Sequence, residues 1–104
     1  MKIIQSKDEF KTYINKDQVI ALFTADWCPD CRVIEPELPE IEQHFPNYTF
    51  ISIDRDAFID VCQDYDIFGI PSFIAFRNGE DIGRFVSKDR KTKEQIISFI
   101  QSLS

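Results

Sequence analysis

The sequence predicts an α/β fold, a mixed sheet with helices on both faces, on three observations. Short apolar runs of strand length alternate along the chain with segments whose apolar residues recur at helical spacing. The run Val19 to Phe23 is apolar throughout, the pattern of a strand covered on both sides. Asn78-Gly79 sits between two strand-like segments, a two-residue hairpin signal that adds an antiparallel pair.

Taken in order, Lys2 to Gln5 is a short strand. Ser6 opens a helix, Glu9 completes a capping-box pattern, and Phe10, Tyr13 and Ile14 form the apolar stripe. Val19 to Phe23 follows as the second strand. Ile34, Leu38, Ile41 and Phe45 then recur at helical spacing, with Pro36 and Pro39 inside the pattern. Each proline removes a backbone donor and crowds the preceding turn, so a kink is expected. Tyr48 to Ile53 is a strand, and Phe58, Val61, Cys62 and Tyr65 mark a short helix. Ser72 to Arg77 and Asp81 to Val86 flank the hairpin turn, and Ile96, Phe99, Ile100 and Leu103 mark a C-terminal helix. The order β-α-β-α-β-α-β-β-α calls for parallel pairs joined by crossover helices and a closing antiparallel hairpin. With 104 residues, no linker, no repeat and no low-complexity stretch, one domain over 1–104 is expected.

Hydrophobic residues make up 43% of the chain, with ten phenylalanines against three glycines, as a packed core requires. The net charge of −6 argues against nucleic acid, which calls for clustered cations. The basic cluster Lys88, Arg90, Lys91 and Lys93 reads as a solvated loop before the last helix. The apolar start at Met1 to Ile4 is too short for a signal core or a membrane span. The expectation is a cytoplasmic protein with no membrane contact. An odd cysteine count points the same way, to a reducing compartment, where a Cys-x-x-Cys is more often catalytic or metal-binding than structural.

Cys28 and Cys31 lie between the apolar strand and the proline-containing helix. If the helix starts at about Cys28, the two share its first turn. Their Cα atoms then lie about 5–6 Å apart, within disulfide reach. Unpaired N–H groups there favour a thiolate on Cys28, and Pro29 suits a first turn. Cys28 is then the more exposed nucleophile and Cys31 the resolving thiol. A structural disulfide and a zinc site remain as alternatives. A zinc site joining these cysteines to Cys62 and His44 fails on distance, because His44 lies 13 residues beyond Cys31, roughly 20 Å along the same helix. Cys62, on an apolar stripe, reads as a buried inert thiol, with a regulatory thiol as the alternative.

Ala25-Asp26-Trp27-Cys28-Pro29-Asp30-Cys31, Pro36, Ile70-Pro71-Ser72 and Arg77-Asn78-Gly79-Glu80 resemble the thioredoxin family, in order and at similar spacing over nearly the whole chain. The resemblance implies the thioredoxin fold, a mixed sheet flanked by four helices. It implies a redox-active Cys28–Cys31 disulfide with no other cofactor and no metal. It implies a cis peptide bond at Ile70-Pro71, with Pro71 against the cysteines and the backbone of Ile70 open to an extended substrate. Trp27 matches the family's active-site tryptophan, an apolar lip beside Cys28. Protein disulfides are the implied substrates and a reductase such as thioredoxin reductase the implied electron donor, for a monomer.

Two departures stand out. The family usually buries an aspartate six residues before the first cysteine and a lysine nearby; here those places are Leu22 and Phe50. Losing both together avoids a stranded buried charge. Asp30 and Asp26 are candidate substitutes, for proton transfer or for tuning the Cys28 pKa, since a nearby carboxylate opposes thiolate formation. The groove glycine usual after the last strand is also absent: Ser87 follows Val86. The expected function is a thiol–disulfide oxidoreductase that reduces protein disulfides, or mixed disulfides with a low-molecular-weight thiol. The alternatives are a non-enzymatic redox-sensing or partner-binding module, and a metal shared between two chains.

Overall fold

In the computed structural model, which describes residues 1–103, the strands are β1 (Lys2–Ile3), β2 (Val19–Thr24), β3 (Thr49–Asp54), β4 (Ser72–Arg77) and β5 (Glu80–Phe85). The helices are α1 (Lys7–Ile14), α2 (Pro29–Ile34), α3 (Leu38–His44), α4 (Ile59–Asp64) and α5 (Lys93–Gln101), with a 3-10 turn over Glu35–Glu37. The sheet order is β1-β3-β2-β4-β5. β3 runs parallel to both β1 and β2, whereas β4 runs antiparallel to β2 and β5 to β4.

The apolar run of β2 therefore sits at the centre of the sheet, as a doubly covered strand should. Its side chains alternate. Val19, Ala21 and Phe23 pack with Phe10 and Ile14 of α1 and Val61 and Cys62 of α4. Ile20 and Leu22 pack with Ile34, Leu38, Ile41 and, from α5, Ile96 and Ile100 on the other face. Each fully buried Ile, Leu or Phe contributes about 1.5–3 kcal/mol, so both layers are held by the same strand. No helix among the described residues is long and apolar enough to cross a membrane.

Three local readings need correction. The kinked helix is three pieces, and among the described residues five α-helices flank the sheet rather than four. Pro36 and Pro39 each fall in a first turn, of the 3-10 segment and of α3, where a missing N–H breaks no helical bond. The apolar stripe Ile34, Leu38, Ile41 continues across the break on one face. Ser6 caps α1 by accepting from Glu9 N–H, but the Glu9 carboxylate reaches back to Gln5 N–H instead of closing the box on Ser6. The reciprocal box is at α5, between Thr92 and Gln95. The Asn78-Gly79 turn forms as expected, both residues at positive φ, 52° and 88°, as a two-residue hairpin of this kind demands.

The topology brings one end of the sheet together. β2 and β3 are parallel, so the loops after them are neighbours, and Arg55 N–H donates to the Thr24 carbonyl at 2.8 Å. β4 starts where β2 ends, with Ser72 opposite Phe23. The cysteines, the Arg55 loop, Ile70-Pro71 and the loop after β5 thus meet at a single edge.

Candidate active site: the two sides of the Cys28–Cys31 disulfide

Cys28 is the N-cap of α2, Pro29 its first residue, and Cys28 is joined to Cys31 with Cα atoms 5.2 Å apart. The Cys31 backbone N–H donates to Cys28 Sγ at 3.1 Å. The sulfur thereby takes the capping role that a Ser or Asp oxygen has in other helices. The expected difference in exposure does not hold for the joined pair: Cys28 is 4% and Cys31 3% exposed. Both are enclosed because the disulfide tucks each sulfur against the first turn. What differs is what each borders.

Cys28 borders an open cleft of about 320 Å³ with Trp27, Asp30, Arg55, Phe68, Ile70 and Lys88. Trp27 is 59% exposed. Its indole N–H donates to Asp56 Oδ2 at 2.7 Å, and the Arg55 guanidinium stands over its ring at 5.6 Å. Ile70-Pro71 is cis, and the Ile70 carbonyl oxygen lies 3.8 Å from Cys28 Sγ. The Ile70 N–H and C=O pair with no backbone group among the described residues.

Cys31 borders a separate cavity of about 330 Å³, with Leu22, Asp26, Arg32, Glu35 and Asp54 in its lining. Leu22 and Phe50, in the places of the family's buried charges, are both buried in the apolar core of that face. Asp26 is exposed, and its backbone carbonyl accepts from Arg32 Nε at 2.8 Å. Asp30 is on the Cys28 side, where its Oδ1 accepts from Arg90 Nε at 2.9 Å.

The reading of Lys88 to Lys93 as a solvated loop is corrected at Lys91, which is only 1% exposed. Its ammonium donates to the Ser87 carbonyl at 3.2 Å, Ser87 Oγ at 3.1 Å and the Asp89 carbonyl at 3.0 Å, and lies 5.3 Å from the centre of the Phe85 ring. Three donors meet three acceptors, which is what allows an ammonium to be buried. Burial still lowers its pKa, with Asp89 and Asp30 opposing the shift. Cys62 is a free, buried thiol whose pKa burial raises. His44 is exposed at the end of α3, remote in sequence from the pair.

Sequence reasoning missed Arg55, Asp56, Phe68 and Lys88. One signal was available: in sheets of this class the loops at the carboxyl ends of adjacent parallel strands build the site. Arg55 and Asp56 directly follow β3.

The comparisons agree with this geometry. A family model described as Thioredoxin matches residues 1–102. Thioredoxin H4-1 of Oryza sativa subsp. japonica is 35% identical over 92% of this chain and 77% of its own. The mitochondrial Thioredoxin-2 of Schizosaccharomyces pombe is 29% identical over 94% of this chain and 74% of its own. The solution structure of oxidised thioredoxin from Plasmodium falciparum superposes with a TM-score of 0.82, at 27% identity, over 100% of this chain and 99% of that one. With a joined cysteine pair opening α2 beneath an exposed tryptophan, and with these matches along its length, the chain belongs to the thioredoxin family and is a thiol–disulfide oxidoreductase.

Proposed function

We propose that the chain is a single-domain, monomeric, cytoplasmic reductase of protein disulfides, with Cys28 as nucleophile and Cys31 as resolving thiol. The observation that carries this reading is the asymmetry of the pair: Cys28 borders the open cleft, and Cys31 borders the opposite cavity. The free thiol Cys62 supports a reducing compartment. The net charge of −6 speaks for protein partners over nucleic acid or an anionic membrane.

In the reduced pair the Cys28 thiolate attacks one sulfur of a substrate disulfide, and the other substrate sulfur leaves as a thiolate and takes a proton. Cys31 gives up its proton and attacks Cys28 Sγ. The mixed disulfide breaks, and the second substrate sulfur leaves and is protonated in turn. Two electrons and two protons have then passed to the substrate, and the pair is a disulfide again. A reductase such as thioredoxin reductase supplies two electrons to reopen it.

The Cys31 N–H at 3.1 Å from Cys28 Sγ favours the thiolate, because hydrogen bonding to the charged form stabilises it. Trp27, Ile70 and Pro71 hold the substrate beside Cys28, the unpaired Ile70 backbone receiving an extended segment. Asp26, on the Cys31 side, takes the Cys31 proton in place of the family's buried acid. Asp30 tunes Cys28 through a charge that Arg90 partly offsets. The test is turnover of a disulfide protein with thioredoxin reductase and NADPH. Many cycles per molecule are expected; one stoichiometric change without turnover would favour a redox sensor and overturn the reading.

A further inference from the structure

We propose that the cleft beside Cys28 selects disulfides whose cysteines are flanked by carboxylate side chains on an extended protein segment. This rests on Cys28 being the nucleophile and adds the charge of what it attacks. The chain carries a net charge of −6, yet the residues lining this cleft carry two cations, Arg55 and Lys88, against the one carboxylate of Asp30. Outside the lining, Arg90 pairs with Asp30 and Asp56 with Arg55.

Both carboxylates are already engaged. Asp30 holds Arg90 at 2.9 Å. Asp56 holds the Trp27 indole N–H at 2.7 Å and Arg55 at 3.3 Å. Lys88 is exposed and has no anionic partner within ion-pair distance among the described residues. Asp89 beside it is exposed and is not among the residues that line the cleft. A cation with no ion-pair partner among the described residues therefore lines the same cleft as Cys28.

The loop that carries Lys88 is tied down at three points. The Lys91 ammonium closes it internally on Ser87 and Asp89. Arg90 ties it to Asp30, next to the cysteines. Gly69 lets it approach the segment before Pro71: a Cβ there would run into the Ser87 carbonyl and come within 2.7 Å of the Lys88 Cα. Burying a lysine is otherwise an expensive way to build a surface loop, and here it presents a second lysine at a set place. The occupant is an extended segment because the cleft also offers the unpaired Ile70 backbone and the exposed rings of Trp27 and Phe68, 59% and 62% exposed. A small anion would use the cations alone.

The test uses the reduced full chain and two disulfide peptides, identical except for Asp or Lys on each side of the cysteine. At low ionic strength the acidic peptide is expected to be reduced about tenfold faster than its basic twin, within the range of electrostatic steering. In about 1 M salt, where the screening length is about 3 Å, the preference should collapse. Lys88→Glu should invert the ratio, and Arg55→Gln should lower it severalfold. Equal rates for the two peptides, a ratio indifferent to salt, or an unchanged ratio in Lys88→Glu would overturn the proposal and leave the reductase reading standing. Reduction of neither peptide would overturn both.

Discussion

On the Cys28 side of the disulfide the surroundings are Trp27, Asp30, Arg55, Phe68 and Lys88, two cations against one carboxylate; on the Cys31 side they are Asp26, Arg32, Glu35, Asp54 and the apolar wall of Leu22, three carboxylates against one side-chain cation. Two sulfurs within one helical turn thus meet opposite electrostatics. The first needs a partner docked beside it and a stabilised thiolate. The second needs somewhere to lose a proton. In this chain the first turn of α2 keeps the two needs apart: Pro29 and Asp30 line the cleft, and Cys31 and Arg32 line the cavity. With Leu22 and Phe50 in place of the family's buried charges, the proton path proposed above runs through a carboxylate at the cavity's edge.

The largest effect expected from breaking this asymmetry is at the sulfurs. Cys28→Ser should reduce turnover to background, since no thiolate remains to open the substrate disulfide. Cys31→Ser should still react once and stop as a mixed disulfide, visible by mass spectrometry. Next comes the Cys31 side. Asp26→Asn should slow decay of the mixed disulfide about tenfold, below the 10²–10⁴ of a directly bonded base, because Asp26 is exposed. Stopped-flow measurement of that decay checks it, and a greater slowing from Asp30→Asn would place the proton path on the wrong side.

On the Cys28 side, Lys91→Met should lower unfolding stability by about 1–2 kcal/mol in urea, as the acceptors at Ser87 and Asp89 lose a charged donor. It should also weaken the preference for acidic peptides by releasing Lys88. The third sulfur is a control outside the pair. Burial raises the Cys62 pKa above its ordinary 9.0, so the folded chain binds more protons than the unfolded one above that pH. The Cys62 contribution to stability should therefore fall as pH rises above 9. Urea melts of Cys62→Ala should lack that component. The smallest effect is at the rim: Arg90→Gln should slow alkylation of reduced Cys28 slightly at neutral pH by freeing the Asp30 charge, and adding Asp30→Asn should reverse it.

Much of this arrangement was legible beforehand. Sequence pattern located all five strands and the two-sided burial of β2, because alternation and full burial leave direct marks on a sequence. The cysteine pair was legible from its own spacing, and the cis bond at Ile70-Pro71 only through the family resemblance. The break at Pro36 was read as a kink because an apolar stripe that continues across it looks the same either way. Lys91 was read as solvated because its burial depends on three acceptors, two of them backbone carbonyls that no side-chain pattern reports. Arg55 and Lys88 come from loops 27 and 60 residues beyond Cys28, and only the sheet order brings them to the cleft.

The asymmetry of the pair is tested most directly by which cysteine reacts first. The fully reduced chain, given less than one equivalent of iodoacetamide at neutral pH and digested for mass spectrometry, should carry the label on Cys28 at least about ten times more often than on Cys31, as a thiolate beside an open cleft requires. Cys62 should stay unlabelled. Equal labelling of Cys28 and Cys31, or preferential labelling of Cys31, would contradict the account.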